Sequence, residues 1–165
     1  MGDVRTTDCD GAWPRLRAAG NADAERIRAV VFETLGEYGL KPDPNSIDAD
    51  LDDIEASYVR RGGTFVVLEV RGGEIIGSYG LYPVDARTCE LRKMYLRRGH
   101  RGRGYGRRMM EHALAEARRL GFSVMTLETA SVLKEAIGLY RGFGFEPYEP
   151  AHLCQRCDQA MRRRV

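Results

Sequence analysis

No uninterrupted apolar run approaches the ~20 residues that a helix needs to cross a bilayer. The polar N-terminal stretch also lacks the apolar centre of a secretory signal. A soluble cytoplasmic protein with no membrane partner is expected. Net charge is nearly absent: 26 Lys and Arg stand against 24 Asp and Glu, leaving +2. A general nucleic-acid binder carries a larger basic excess, so no nucleic-acid partner is expected. Cysteines are few, at positions 9, 89, 154 and 157, and a chain of this size needs no disulfide framework. Cys154-x-x-Cys157 beside His152 is half of a zinc motif without a second cysteine pair, so no metal is expected and the thiols read as free. Met1-Gly2-x-x-x-Thr6 fits the loose myristoylation pattern, but no second anchoring signal accompanies it.

What the sequence does have is core material. With 165 residues and 43% hydrophobic composition it falls outside the disordered class and reads as a single domain. Trp13–Ala18 reads as a first strand, with Pro14 favouring a sheet edge. Asn21 and Asp23 open a helix whose apolar positions Ile27, Val30, Val31 and Leu35 carry it to about Glu37. Leu51, Ile54 and Tyr58 give a short second helix. Strands follow at Thr64–Val70, Ile75–Tyr82 and Cys89–Leu96, the first two joined by a Gly-Gly turn. A helix with Met109, Met110, Ala113, Leu114 and Ala117 on one face comes next, ending at Gly121. Then come a strand at Ser123–Glu128, a helix through Leu133, Ile137 and Tyr140, an extended stretch from Phe145, and a last strand over Arg156–Met161. The order β-α-α-β-β-β-α-β-α-β-β predicts an α/β fold: a mixed sheet with helices on both faces. Arg162-Arg-Arg164 reads as a solvated tail.

The near-neutral total hides a segregated layout. Leu91–Met110 holds eight Lys and Arg and no acid, whereas Pro42–Val59 holds six acids and no base. Within the basic stretch, Arg101-Gly-Arg-Gly-Tyr-Gly106 lies between a strand and a helix. Glycines allow backbone N–H groups to converge, and a helix N-terminus adds positive potential, so this loop reads as an anion site. It is neither a dinucleotide fingerprint, since the sixth position from Gly102 is Arg107, nor a P-loop, since no Gly-Lys-Ser/Thr follows.

Arg101-x-x-Gly104-x-Gly106 resembles the acyl-CoA-binding signature of the GCN5-related N-acetyltransferases (GNAT). Ala136-Ile-Gly-Leu-Tyr140-Arg-Gly-Phe-Gly-Phe145 is similar to that family's second motif, and Glu90–Tyr95 to the strand before its loop. The match of elements extends over about residues 12–161. The resemblance implies an acetyl-CoA-dependent N-acetyltransferase acting by direct transfer on a primary amine, with a small molecule as the expected acceptor. A protein lysine or N-terminal amine is the alternative acceptor, and a non-catalytic CoA-binding module the alternative class. It implies that backbone groups of Met94, Tyr95 and Leu96 bind the pantetheine arm. Arg101, Gly102, Arg103, Gly104, Tyr105, Gly106 and Arg107 are implied to hold the pyrophosphate, with Arg97, Arg98 and Arg103 reaching the nucleotide phosphates. Met94 N–H is implied to stabilise the oxyanion and Tyr140 to be the general acid; a phenol keeps its proton at neutral pH.

Glu90 is the candidate base, placed by two-residue alternation on the same face as Met94. Where the family often has asparagine this chain has Leu133, and Ser131 is the candidate substitute. The acids at 43, 48, 50, 52, 53 and 55 form a candidate acceptor-facing wall that would attract a cationic amine, or else merely complement a helix dipole. Tyr38 and Tyr82 are candidates to line the same pocket. A monomer or a homodimer fits the sequence equally.

Overall fold

A computed structural model describes residues 14–165. The acylation pattern, Cys9 and Trp13 lie outside the described residues. The elements run β1 (Arg15–Ala18), α1 (Ala24–Glu37), α2 (Ile54–Ser57), β2 (Thr64–Glu69), β3 (Ile75–Pro83), β4 (Thr88–Leu96), α3 (Tyr105–Arg119), β5 (Val124–Thr129), α4 (Lys134–Gly142), β6 (Glu146–Pro147) and β7 (Gln159–Arg164). The order matches the one expected. The strands form one sheet, β1-β2-β3-β4-β5-β7-β6, in which β4 and β5 are parallel and the other neighbours antiparallel. No helix among the described residues is long and apolar enough to cross a membrane.

Burial on both faces explains the uninterrupted apolar run of β2. Phe65 and Val67 join the cluster formed by Ile27, Val30, Val31 and Leu35 of α1, together with Leu51, Ile54 and Tyr58. Val66, between them, faces the opposite cluster with Met110, Ala113 and Leu114 of α3. The apolar stripe of α3 carries its packing; each fully buried Met or Leu contributes about 1.5–3 kcal/mol. As Pro14 implied, β1 is an edge strand.

The last strand lies three residues later than its sequence reading. Cys154–Cys157 closes a turn, with Cys157 N–H donating to Cys154 carbonyl at 2.9 Å, so the strand cannot begin at Arg156. Arg162, Arg163 and Arg164 are strand residues opposite Thr126, Met125 and Val124, not a solvated tail. Their long stems suit a half-exposed sheet position while the charged heads stay wet.

Candidate active site

The central strands separate because their pairing stops early. β4 and β5 are in register from Thr88 opposite Val124 to Leu91 opposite Leu127, and no further. Beyond that point Arg92–Leu96 and Glu128–Thr129 diverge. A bulge in β4 accompanies the divergence: Ser78 pairs with Tyr95 and Gly80 with Arg92, so β4 carries one extra residue. Lys93 occupies the left-handed region at φ 54°, an unusual place for a side chain of its kind. Ser78 Oγ donates to Lys93 carbonyl at 2.9 Å, satisfying a group that the bulge frees from the ladder.

The bulge overturns one expectation about Glu90. Glu90 sits opposite Tyr82, on the α1 face. Met94 instead packs against the α3-side clusters with Cys89 and Leu91. One inserted residue breaks two-residue alternation, so Glu90 and Met94 do not share a face. Glu90 accepts from Arg92 at 2.7 Å, and Arg92 lies 3.8 Å over the Tyr82 ring.

The wedge between β4 and β5 opens into a cleft of about 920 Å³. Glu90, Met94, Tyr95, Leu96 and Tyr140 line it, as do Arg101, Gly102, Gly104, Gly106 and Arg107 of the loop. Arg103 and Tyr105 are not among its lining residues; Tyr105 packs on Leu68, Ile76 and Met109 instead. Gly104 is the N-cap of α3 at φ 81°, where a Cβ would be strained. No side chain caps this helix, and no acid occupies its first turn. Its leading N–H groups therefore face the cleft mouth with positive potential.

Several arginines of the basic stretch are held by partners within the protein. Arg101 donates to Leu96 carbonyl and to Glu37, each at 2.8 Å, with its head 5.5 Å over the Tyr38 ring. Arg97 pairs with Glu74 at 2.8 Å and Glu33 at 3.5 Å. Arg108, outside the expected phosphate set, donates to Pro14 carbonyl at 2.6 Å. Arg107 keeps its place at the cleft while pairing with Glu111 at 3.0 Å.

Tyr140 is buried on α4, its ring 5.9 Å from Phe145. Burial, reinforced by Tyr95 and Cys157, pushes its hydroxyl well above the ordinary phenol value, so it remains protonated. Burial likewise raises Tyr95, to about 12. Two buried hydroxyls that line the cleft, those of Thr34 and Thr129, have no hydrogen-bond partner among the described residues. Leu133 lines the cleft, but Ser131 is not its polar substitute. Its N–H and Oγ both donate to Asp158, at 2.8 and 2.6 Å.

The acidic stretch does not form a free wall. Asp48 is fully buried and accepts from Lys93 Nζ at 2.6 Å and from both Arg156 Nη atoms at 2.9 Å. Burial opposes its charge, but these two cations outweigh that cost and hold its carboxyl down at about 2. Asp50 lies 3.3 Å from Lys93 Nζ and accepts from the Tyr58 hydroxyl. Asp52 pairs with Arg28, and Asp53 caps α2 through Ala56 N–H. Only Asp50 of the six acids lines the cleft, and Tyr82 does not, whereas Tyr38 does. Sequence reading missed the Lys93–Asp48–Arg156 clasp. The basic pair Arg92-Lys93 inside a strand-forming run was its visible trace.

The far end of the cleft is lined by Glu128, Cys154 and Cys157. Cys154 N–H donates to Glu128 at 2.9 Å. The interaction between the two thiols holds Cys154 below the ordinary thiol range, and the same interaction together with burial raises Cys157.

Known proteins match this arrangement. Residues 29–145 fit the model of the acetyltransferase (GNAT) family. The uncharacterized N-acetyltransferase YjgM of Escherichia coli (strain K12) is 36% identical over 146 residues, covering 86% of this chain and 87% of its own length. A Staphylococcus aureus acetyltransferase of the GNAT family superposes with a TM-score of 0.85 at 20% identity, over 91% of this chain and 98% of that one. The Salmonella typhimurium protein yncA, whose structure includes its cofactor acetyl-CoA, does so with a TM-score of 0.71 at 21% identity, over 91% and 92%. The early end of β4–β5 pairing, the uncapped glycine-led helix and the family match over most of the chain lead to one conclusion: this chain belongs to the GNAT family and is an N-acetyltransferase.

Proposed function

We propose that the protein transfers the acetyl group of acetyl-CoA directly to the primary amine of a small molecule. The donor side fits the residues present. The open N-terminus of α3, with the loop amides from Arg101 to Arg107, suits a pyrophosphate. The edge of β4 at Met94, Tyr95 and Leu96 suits the strand-like amides of a pantetheine arm. The unpartnered Thr129 hydroxyl offers one more bond beside it. Bound there, acetyl-CoA supplies an activated thioester.

The chain's own groups then divide the work. Glu90, hydrogen-bonded by Arg92 at 2.7 Å, receives the amine proton, directly or through water. The amine nitrogen bonds to the acetyl carbon as the carbon–sulfur bond breaks. Met94 N–H meets the negative charge developing on the acetyl oxygen. Tyr140 gives its proton to the departing sulfur; its burial keeps that proton available.

The observation that favours a small acceptor is the clasp over the cleft. Arg156 bonds both Asp48 and the Lys41 carbonyl, at 2.9 and 3.1 Å, tying two cleft-side loops together. A protein acceptor needs an open groove, whereas a tied roof suits a compact molecule. Thiol release from acetyl-CoA over a panel of small amines, amino acids and lysine peptides tests this. Turnover confined to small amines is expected. Turnover of peptides alone would overturn the acceptor class, and binding without thiol release would overturn catalysis.

A further inference from the structure

We propose that Glu128, Cys154 and Cys157 form a three-ligand site for a thiophilic divalent cation of the zinc type, with its fourth position open to the cleft. The half-motif in the sequence lacked partners, and the fold supplies one. The ligand atoms of these three residues all lie within 4.8 Å of one another. They come from the end of β5 and from the turn before β7, two segments that the sheet brings together. All three residues line the cleft.

The chemistry of the set favours zinc over magnesium or calcium. Two thiolates are soft donors, and the one carboxylate is a hard donor that zinc also accepts, whereas magnesium and calcium take oxygen ligands alone. Three protein ligands with one vacant position is the arrangement of exchangeable zinc sites, not of closed structural ones. The turn is already built. Cys157 N–H bonds the Cys154 carbonyl at 2.9 Å, and Cys154 N–H bonds one Glu128 oxygen at 2.9 Å. That bond fixes the carboxylate from behind and leaves its second oxygen for a metal. His152 lines the same cleft but stands outside this trio. The fourth position therefore takes water, or a nitrogen, oxygen or sulfur donor of a molecule in the cleft. Metal uptake here does not depend on the identity of the acceptor amine.

Cobalt(II) titration of the reduced full-length chain tests the site. One equivalent should bind with the near-ultraviolet charge-transfer absorption of thiolate ligation, and zinc should abolish it. Cys154→Ser and Cys157→Ser should each weaken uptake by about 100-fold or more, and Glu128→Gln by about 10-fold. A second measurement uses the unaltered chain, where no variant can misfold. Zinc should protect Cys154 and Cys157 from alkylation, mapped by mass spectrometry. Absence of thiolate absorption, equal uptake by the double serine variant, or unprotected alkylation at saturating zinc would each overturn the proposal.

Discussion

Asp48→Asn is the most informative perturbation of the cleft. The substitution keeps the shape of the side chain and removes its charge. Lys93, with its side chain 5% exposed, then keeps Asp50 at 3.3 Å, while Arg156, 10% exposed, loses the carboxylate it pairs with. Holding the Asp48 carboxyl at about 2 against an ordinary 3.8 corresponds to about 2 kcal/mol in favour of the ionised folded form. Breaking a buried pair by removing one partner costs ~3–5 kcal/mol in general. A loss of about 2–4 kcal/mol is therefore expected. At this chain length that lowers Tm by about 4–16 °C. Urea denaturation at pH 7 measures it directly.

The pH dependence supplies an independent check. The folded-state value lies below the unfolded one, so the Asp48 contribution is complete above about pH 4 and disappears as pH falls towards about 2. Asp48→Asn should flatten the acid-stability profile across that window. In a double-mutant cycle with Lys93→Met, the coupling should exceed about 1 kcal/mol. A variant within about 0.5 kcal/mol of the parent, with an unchanged acid profile, would refute the claim that these charges hold the cleft.

Three further outcomes are expected. Tyr140→Phe should lower kcat by about 100-fold while changing acetyl-CoA affinity less than about threefold; unchanged turnover with chemistry rate-limiting removes the acid role. Gly104→Ala should weaken acetyl-CoA binding and cost about 1–2 kcal/mol of stability, because the site is left-handed and its Cβ meets nothing that would shift; equal affinity and equal Tm would show that the loop tolerates a side chain there. Acetyl-CoA at 100 times its Kd should stabilise the fold by about 2.7 kcal/mol in a thermal scan; no shift at millimolar ligand defeats the donor assignment.

Legibility in the sequence followed the range of the interaction. α1 and α3 were readable because helical spacing of apolar residues is local, and β2 because a doubly buried strand is an unbroken apolar run. The glycine loop before α3 was readable because glycines at fixed intervals mark a turn into a helix N-terminus. The bulge at Lys93 was not, since its left-handed backbone is held by Ser78 and Asp48, which are distant in the chain. For the same reason alternation failed at Glu90. Charge runs were misread where pairing decides their meaning: Asp48 faces inward to two cations, and Arg162–Arg164 lies in the sheet. Glu128 escaped notice as a thiol neighbour because 26 residues separate it from Cys154.

The clasp also sets a time scale. Asp48 lies 45 residues from Lys93 and 108 from Arg156, so its bonds close very long loops. Contacts of that separation tend to form after the folding nucleus, because loop-closure entropy must be met first. Asp48 should therefore show φ-values near zero, with Asp48→Asn leaving the folding rate almost intact and speeding unfolding. The charges that roof the cleft would then govern how long a folded molecule stays folded, while the sheet and its helices govern how fast it folds.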